Sequence, residues 1–192
     1  MSEKLIRIVN AILFYIIWWS CILGIKYSHY YQGPLITLLA VGLHLNLISE
    51  TEKESKVILL CIVWAFLIES INRYSGLLIY EGFIFDNSFF PPLWIISIWV
   101  ALSITLNYSM FFLKDRWWLM VICGGIFGPW CYFASEKLNI LHFSYSAVVS
   151  LLILSAIWAL SLPMMYYMNK RTYDSYPDDL ILDDLNKLNN KK

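Results

Sequence analysis

Residues 8–25 read IVNAILFYIIWWSCILGI, an apolar run that is interrupted only by the polar residues Asn10 and Ser20. The hydrocarbon core of a membrane is about 30 Å thick, and one helical crossing needs about 20 mainly apolar residues. Lys4 and Arg7 precede the run, but it exceeds the apolar region of a signal peptide, which has about 7–15 residues, and no small-residue cleavage site follows. We therefore predict that this segment is a retained first transmembrane helix.

Five further segments have a similar apolar character at a suitable length. With the first they predict six transmembrane helices, at residues 8–25, 31–49, 57–76, 91–113, 117–135 and 145–168. Because only helices satisfy their own backbone hydrogen bonds in lipid, we expect an all-α bundle over residues 1–168. The stretch 76–90 is apolar and aromatic but carries Glu81 and Asp86. It either finishes the third helix and lies along the outer interface, or forms a short re-entrant piece.

The composition agrees with a membrane protein. Of the 192 residues 59% are hydrophobic and only 15% are charged, whereas soluble domains have about 25% charged residues. The formal net charge is zero and no basic stripe is interleaved with aromatic residues, which argues against nucleic-acid binding. The four cysteines and three histidines have no zinc-ligand spacing, so the sequence predicts no metal site and no cofactor.

The basic residues are distributed unevenly between the two sides of the predicted bundle. With the N-terminus inside, only Lys26, Arg73 and Lys137 of the 14 lysines and arginines fall in outer segments. The positive-inside rule therefore predicts six crossings with both termini in the cytoplasm. Residues 169–192 then form a polar cytoplasmic tail, either solvated or with a short amphipathic helix.

The strongest functional indication is Glu69, which shares the predicted third helix with Asn72 and Arg73. Glu69 lies one turn before Arg73 on the same helix face, and about 18 Å beyond Val57, in the outer half of the bilayer. Ionisable groups inside a membrane are costly and by default indicate a ligand site or pathway. A structural ion pair or side chains that snorkel to the interface are the alternative. Glu136, at the outer end of the fifth helix, is a candidate for the same cluster.

A second polar group is predicted in the inner half of the bundle, and its members are Asn10, His44, Asn46 and Asn107. Hydrogen bonds between helices, at about 0.6 kcal/mol each, account for such residues without any ligand. A histidine can also titrate near neutral pH, so His44 is a candidate for proton relay. The inner group therefore indicates either helix packing or a pathway.

The fifth predicted helix contains Gly124 and Gly128, at a spacing that lets another helix approach closely. Pro129 has no backbone N–H and should free a carbonyl that then needs another partner. These three residues predict tight helix packing, with a broken helix that lines a binding cavity as the alternative.

Four features in order along the chain resemble an uncharacterised family of bacterial multi-pass membrane proteins, catalogued as domain of unknown function 2878. They are Glu69, residues 91–94 (PPLW), residues 105–109 (TLNYS) and residues 124–129 (GGIFGP). The family tends to have an aspartate in place of Glu69 and a histidine in place of Tyr108, and the absence of that histidine argues against a proton-relay role here. The resemblance implies a bacterial inner-membrane protein without assigned activity, in a setting of fatty-acid or phospholipid modification.

No zinc-protease, nucleophile-elbow, phosphate-binding-loop or dinucleotide-binding motif is present in the sequence. The leading hypothesis is a non-enzymatic inner-membrane protein that binds membrane lipids or supports a lipid-modifying membrane partner. A small transporter that uses Glu69, Arg73 and His44, with a homo-oligomer supplying a second half, is one alternative. An intramembrane lipid-modifying enzyme that uses Glu69 as an acid or base is the other.

Overall fold

The computed structural model describes residues 3–47, 50–84 and 90–175, and in these ranges the chain forms a helical bundle with one small sheet. The helices are α1 (Glu3–Lys26), α2 (Gln32–Leu47), α3 (Thr51–Tyr74), α4 (Leu93–Ser103), α5 (Trp117–Lys137) and α6 (Ala147–Asp174). The strands are β1 (Leu78–Tyr80) and β2 (Leu141–Phe143), and a 3-10 turn spans Phe111–Leu113. The predicted all-α class is confirmed.

Three of these helices, α1, α5 and α6, are long and apolar enough to cross a membrane. Helices α2 and α4 have 16 and 11 residues, or about 24 and 17 Å of helix, which is less than the ~30 Å hydrocarbon core. Helix α3 is longer but carries acidic residues in its first turn and Arg73 in its last. Candidate membrane-spanning segments are therefore present, while six crossings and cytoplasmic termini stay predictions.

The outer surface of the bundle is apolar, and α3 buries one face against its neighbours. Helix α5 packs along α6, α1 packs against α2 and α4, and α3 contacts α4 and α6. Large side chains such as Leu38, Trp117, Trp130 and Leu160 are exposed on the outward faces. Exposed apolar area on this scale is typical of interfaces with lipid or protein and not of a soluble monomer's surface.

The predicted helix over 91–113 is wrong in its second half, because α4 ends at Ser103. Beyond it the backbone forms tight turns, in which several N–H groups donate to carbonyls three residues earlier. The hydroxyls of Ser103 and Thr105 also donate to carbonyls of the last helical turn, so they compete with the helical pattern. The polar run 105–109 therefore leaves the helix and supplies side chains to the interior.

The other predicted bounds need smaller corrections. Helix α3 begins at Thr51, six residues before the predicted start at 57, and ends at Tyr74 instead of 76. Helix α6 continues to Asp174, so the first residues of the predicted tail 169–192 are helical. The rest of that tail, from residue 176, lies outside the described residues.

The stretch 76–90, whose conformation the sequence left open, contains strand β1. It pairs antiparallel with β2, with Leu78 opposite Phe143 and Tyr80 opposite Leu141. Because side chains alternate along a strand, Leu78 and Tyr80 are buried while Ile79 is exposed. The sheet contacts α3 and α5, and it turns Tyr80 into the bundle.

Candidate functional site

Glu69 is completely buried, and both oxygens of its carboxylate accept hydrogen bonds. Oε1 accepts from Trp99 Nε1 at 2.7 Å and from the Tyr132 hydroxyl. Oε2 accepts from the Tyr80 hydroxyl and from Asn72 Nδ2 at 3.4 Å. We call these five residues the Glu69 cage. Its four donors replace the water that the carboxylate loses on burial.

The Glu69 cage joins four elements of the fold. Glu69 and Asn72 lie three residues apart on the buried face of α3, so they share one side of that helix. Tyr80 comes from β1, Trp99 from α4 and Tyr132 from α5. Helix α6 adds Trp158, whose ring stacks on Trp99 with centroids 4.4 Å apart. The side chains therefore meet only when β1 and the helices α3 to α6 are assembled.

Arg73 turns away from the Glu69 cage, although it lies only one turn further along α3. Its Nη1 donates to the Phe90 carbonyl at 2.7 Å, and its guanidinium lies 4.5 Å from the centroid of the Phe83 ring. Of the predicted outer cluster, the structure thus brings Asn72 but not Arg73 to the carboxylate. Glu136 has a buried Oε2 that has no hydrogen-bond partner among the described residues.

A second buried carboxylate, Glu54, lies at the other end of α3 and is only 1% exposed. Its Oε1 accepts from Asn107 Nδ2 at 2.9 Å and from the Tyr173 hydroxyl at 2.6 Å. Asn107 and Asn169 exchange two further hydrogen bonds, at 2.7 and 3.1 Å. On the other side, His44 Nε2 lies 3.5 Å from Glu54 Oε2. We call these five residues the Glu54 cluster, which joins α2, α3, α6 and the turns after α4.

The electrostatics of the Glu54 cluster favour a charged carboxylate. Glu54 precedes the predicted crossing that starts at residue 57. Burial raises the pKa of its carboxyl, but the interactions with His44, Tyr173 and Asn107 outweigh burial and leave the pKa below its ordinary value. The cluster therefore places a carboxylate beside an imidazole, which is an acid–base pair.

The predicted inner polar group divides in the structure. His44 and Asn107 both reach Glu54, as described above. Asn10 instead ties α1 to the turns after α4, where its Nδ2 donates to a backbone carbonyl at 2.9 Å and its Oδ1 accepts from a serine hydroxyl. Asn46 is exposed, and its Nδ2 donates to the carbonyl one turn earlier in α2. Two of the four residues are thus part of one site.

Gly124, Gly128 and Pro129 lie where α5 packs on α6. A Cβ at Gly128 would lie 2.2 Å from Trp158 Cγ, and one at Gly124 would lie 2.3 Å from the Trp158 carbonyl oxygen. Because Pro129 lacks an N–H, the carbonyl four residues before it has no helical donor, and Ser155 Oγ donates to that oxygen at 2.7 Å. These residues hold Trp158 in place beside the Glu69 cage.

Sequence reasoning missed Glu54 and three of the four donors to Glu69, namely Tyr80, Trp99 and Tyr132. Glu54 stands in the charged run 51–56 (TEKESK), which is typical of a loop between helices. The three aromatic residues stand in apolar stretches, where packing is the usual role. The available signal was that a buried carboxylate needs donors, and that buried tyrosines and tryptophans each bring one.

Within the described ranges, no three His, Cys, Asp or Glu side chains come together as metal ligands would. The Glu69 cage offers neutral donors around one carboxylate. The Glu54 cluster adds an imidazole, whose Nε2 lies 3.5 Å from the second oxygen of its carboxylate.

Comparison with known proteins identifies a family. A family model described as a protein of unknown function (DUF2878) matches residues 7–164. This range includes the whole Glu69 cage, and of the Glu54 cluster it includes all but Asn169 and Tyr173. No curated protein and no solved structure matches the chain significantly. The resemblance carried by Glu69 and the 91–94, 105–109 and 124–129 stretches is thereby confirmed, and the chain belongs to the DUF2878 family of proteins of unknown function.

Proposed function

We propose that the protein is a non-enzymatic protein of a bacterial inner membrane that binds a phospholipid, which it holds for itself or for a lipid-modifying membrane partner. The observation that carries the proposal is a groove on the outward face of α1, with a volume of about 390 Å³. The volume lies in the range of small-molecule sites, which is about 300–1,000 Å³.

The lining of the groove suits one acyl chain. Its wall is apolar and aromatic along α1, with two polar side chains beside it, and it consists of Ile12, Tyr15, Ile16, Trp19, Ser20, Leu23 and Gln32. From Ile12 to Leu23 the helix rises about 16 Å, roughly half of a 30 Å hydrocarbon core. The groove therefore matches the length of a chain that occupies a single leaflet.

Charge complementarity favours a phospholipid as the occupant. Lys26 lies three residues after Leu23, on the same helix face, and it is exposed at the end of α1. A lysine at this depth can meet the phosphate of a lipid whose acyl chain lies in the groove. In the predicted orientation, with the N-terminus in the cytoplasm, the bound lipid belongs to the outer leaflet.

Filling the groove should remove the bound lipid. We expect Ile16→Trp to lower the retention of phospholipid by at least about tenfold, because losing the burial of even two methylene groups, at about 0.8 kcal/mol each, has that effect. The measurement is native mass spectrometry of protein extracted gently from phosphatidylethanolamine–phosphatidylglycerol nanodiscs, with the count of retained lipids per chain.

The matched control is Leu160→Trp, since Leu160 is an apolar residue of α6 that is 72% exposed and lies outside the groove. It should retain lipid like the unmodified chain. Equal retention by the Ile16 and Leu160 variants would contradict the proposal. A second polypeptide at fixed stoichiometry in the same spectra would identify the partner that the lipid is held for.

Transport is a second candidate function, and the placement of the two carboxylates favours it. Glu54 and Glu69 both lie on the buried face of α3, about 22 Å apart along the helix, at opposite ends of the bundle. Ionisable groups buried inside a membrane protein are typical of proteins that move ions or protons. Proton flux into proteoliposomes that carry a pH-sensitive dye tests this function, and a rate equal to that of protein-free vesicles would reject it.

A further inference from the structure

The two buried carboxylates differ in the groups that surround them. Glu69 accepts two hydrogen bonds on each oxygen, and all four donors are tryptophan, tyrosine or asparagine groups, which do not gain a proton near neutral pH. Glu54 accepts two hydrogen bonds on Oε1 only. Its Oε2 faces the imidazole of His44, and histidine is the side chain that titrates in the physiological range.

The distance between His44 and Glu54 leaves the pair ready to take up a proton. Nε2 and Oε2 are 3.5 Å apart, and neither atom has a hydrogen-bond partner within the described part of the chain. A charge-assisted N–H···O bond between imidazolium and carboxylate is shorter, at about 2.7–2.9 Å. When the neutral ring carries its proton on Nδ1, protonation at Nε2 would satisfy these two buried atoms at once and draw the end of α2 toward α3.

The position of His44 in its helix also favours the uptake of a proton. His44 lies in the last turn of α2, where the negative end of the helix dipole favours a cation. The Tyr108 ring packs edge-on against the imidazole, with centroids 5.1 Å apart. Among the described residues, the other titratable or charged groups around the pair include Glu50, which immediately precedes α3, Lys53 and Cys61 from α3, Tyr108 from the turns after α4 and Tyr173 from α6.

These neighbours add no net charge near His44 and Glu54. Lys53 pairs with Glu50 at 2.9 Å, so these two charges offset each other. The tyrosines and the cysteine are neutral near pH 7 when they are buried. The negative charge that His44 meets at close range is therefore that of Glu54.

We propose that His44 and Glu54 form a proton-binding site whose ligand is a single exchangeable proton. The proton passes from water to the lone pair of the neutral imidazole, one N–H bond forms, and Glu54 stays ionised. The net charge of the pair then changes from −1 to 0. Protonation locks α2 to the Glu54 cluster, and deprotonation releases it, which links proton binding to the packing of α2, α3 and α6.

Nuclear magnetic resonance of the full chain, labelled at the histidine rings and held in nanodiscs, tests the site between pH 5 and 8. The chain has three histidines, and His44→Gln assigns the signal of His44. In Glu54→Gln, the ratio of protonated to neutral His44 imidazole at a given pH should fall at least about tenfold, because a charge within hydrogen-bonding range is lost.

The matched control is the pair of His142 and Glu81. Their Nε2 and Oε1 atoms are 3.9 Å apart, and both side chains are about half exposed. Because solvent screens this pair, Glu81→Gln should change the ratio at His142 by less than about threefold. A His44 ratio in Glu54→Gln equal to that of the unmodified chain would overturn the proposal. A His44 signal that stays neutral down to pH 5 in the unmodified chain would overturn it as well, and this outcome requires no variant to fold.

Discussion

Glu69→Ala is expected to lower the free energy of unfolding by at least about 3 kcal/mol. The change leaves the indole N–H of Trp99 and the hydroxyls of Tyr80 and Tyr132 buried without their acceptor. A buried donor without a partner costs about 1–3 kcal/mol, and three such donors lie around the removed carboxylate. The measurement is reversible unfolding in mixed micelles with increasing dodecyl sulfate, followed by tryptophan fluorescence and circular dichroism.

Two further variants make this result specific to the Glu69 cage. Glu81→Ala removes an acid that is about half exposed near the same end of the bundle, and it should change the free energy by less than about 0.5 kcal/mol. Glu69→Gln keeps the shape and one acceptor oxygen, so its loss should lie between the other two. If Glu69→Ala unfolds at the same denaturant concentration as Glu81→Ala, the hydrogen bonds of the cage do not stabilise the bundle.

The sequence predicted the long helices well, because hydropathy is a property of contiguous residues. The predicted crossing 117–135 lies inside α5, the predicted crossing 145–168 overlaps α6 from residue 147 onward, and each begins within two residues of the observed helix. The end of α4 could not be predicted in the same way. Hydropathy contains no information about hydrogen bonds to side chains that are distant in the sequence. Residues 105–109 make such bonds and leave the helix, as Asn107 does when it donates to Glu54.

Glu69 was recognisable from the sequence, but its partners were not. An isolated acid in an apolar helix is conspicuous, and Arg73 one turn later is the obvious local partner. The donors that Glu69 uses in α4 and α5 lie 30 and 63 positions further along the chain. The long side chain of Arg73 instead donates a hydrogen bond to the Phe90 carbonyl and lies over the Phe83 ring.

Glu54 was missed because of where the third helix was expected to begin. A start at residue 57 leaves the charged run 51–56 in a loop, where an acid is solvated. Since α3 starts at Thr51, Glu54 lies on the same buried face as Val57 and Cys61. A shift of about one and a half turns in a helix boundary therefore decides whether an acid belongs to the surface or to the interior.

Gly128→Ala is expected to lower the free energy of unfolding by about 2–3 kcal/mol, although it adds only one methyl group. The new Cβ would lie 2.2 Å from Trp158 Cγ and 2.5 Å from its Cδ2, so the indole must move. Trp158 also stacks on Trp99, which restricts how far the indole can move. Overpacking of this kind costs about 1–3 kcal/mol. The same micelle unfolding assay measures the loss.

Gly42→Ala provides the matched control. A Cβ at Gly42, on the exposed face of α2, would have no neighbour within 4 Å. Alanine is favoured over glycine in a helix by about 1 kcal/mol, so this variant should be as stable as the unmodified chain or more so. If both glycine variants behave alike, the contact between α5 and Trp158 is not a determinant of stability.

The double variant Glu69→Ala/Gly128→Ala should lose less stability than the sum of the two single losses. Trp99 connects the two sites, since its Nε1 donates to Glu69 and its ring stacks on Trp158. Once the carboxylate is gone, Trp99 has lost one of its restraints, and it can yield to a displaced Trp158. Residues that share a partner in this way are coupled by about 0.5–3 kcal/mol. Strictly additive losses would instead show that the α5–α6 contact and the Glu69 cage stabilise the bundle independently.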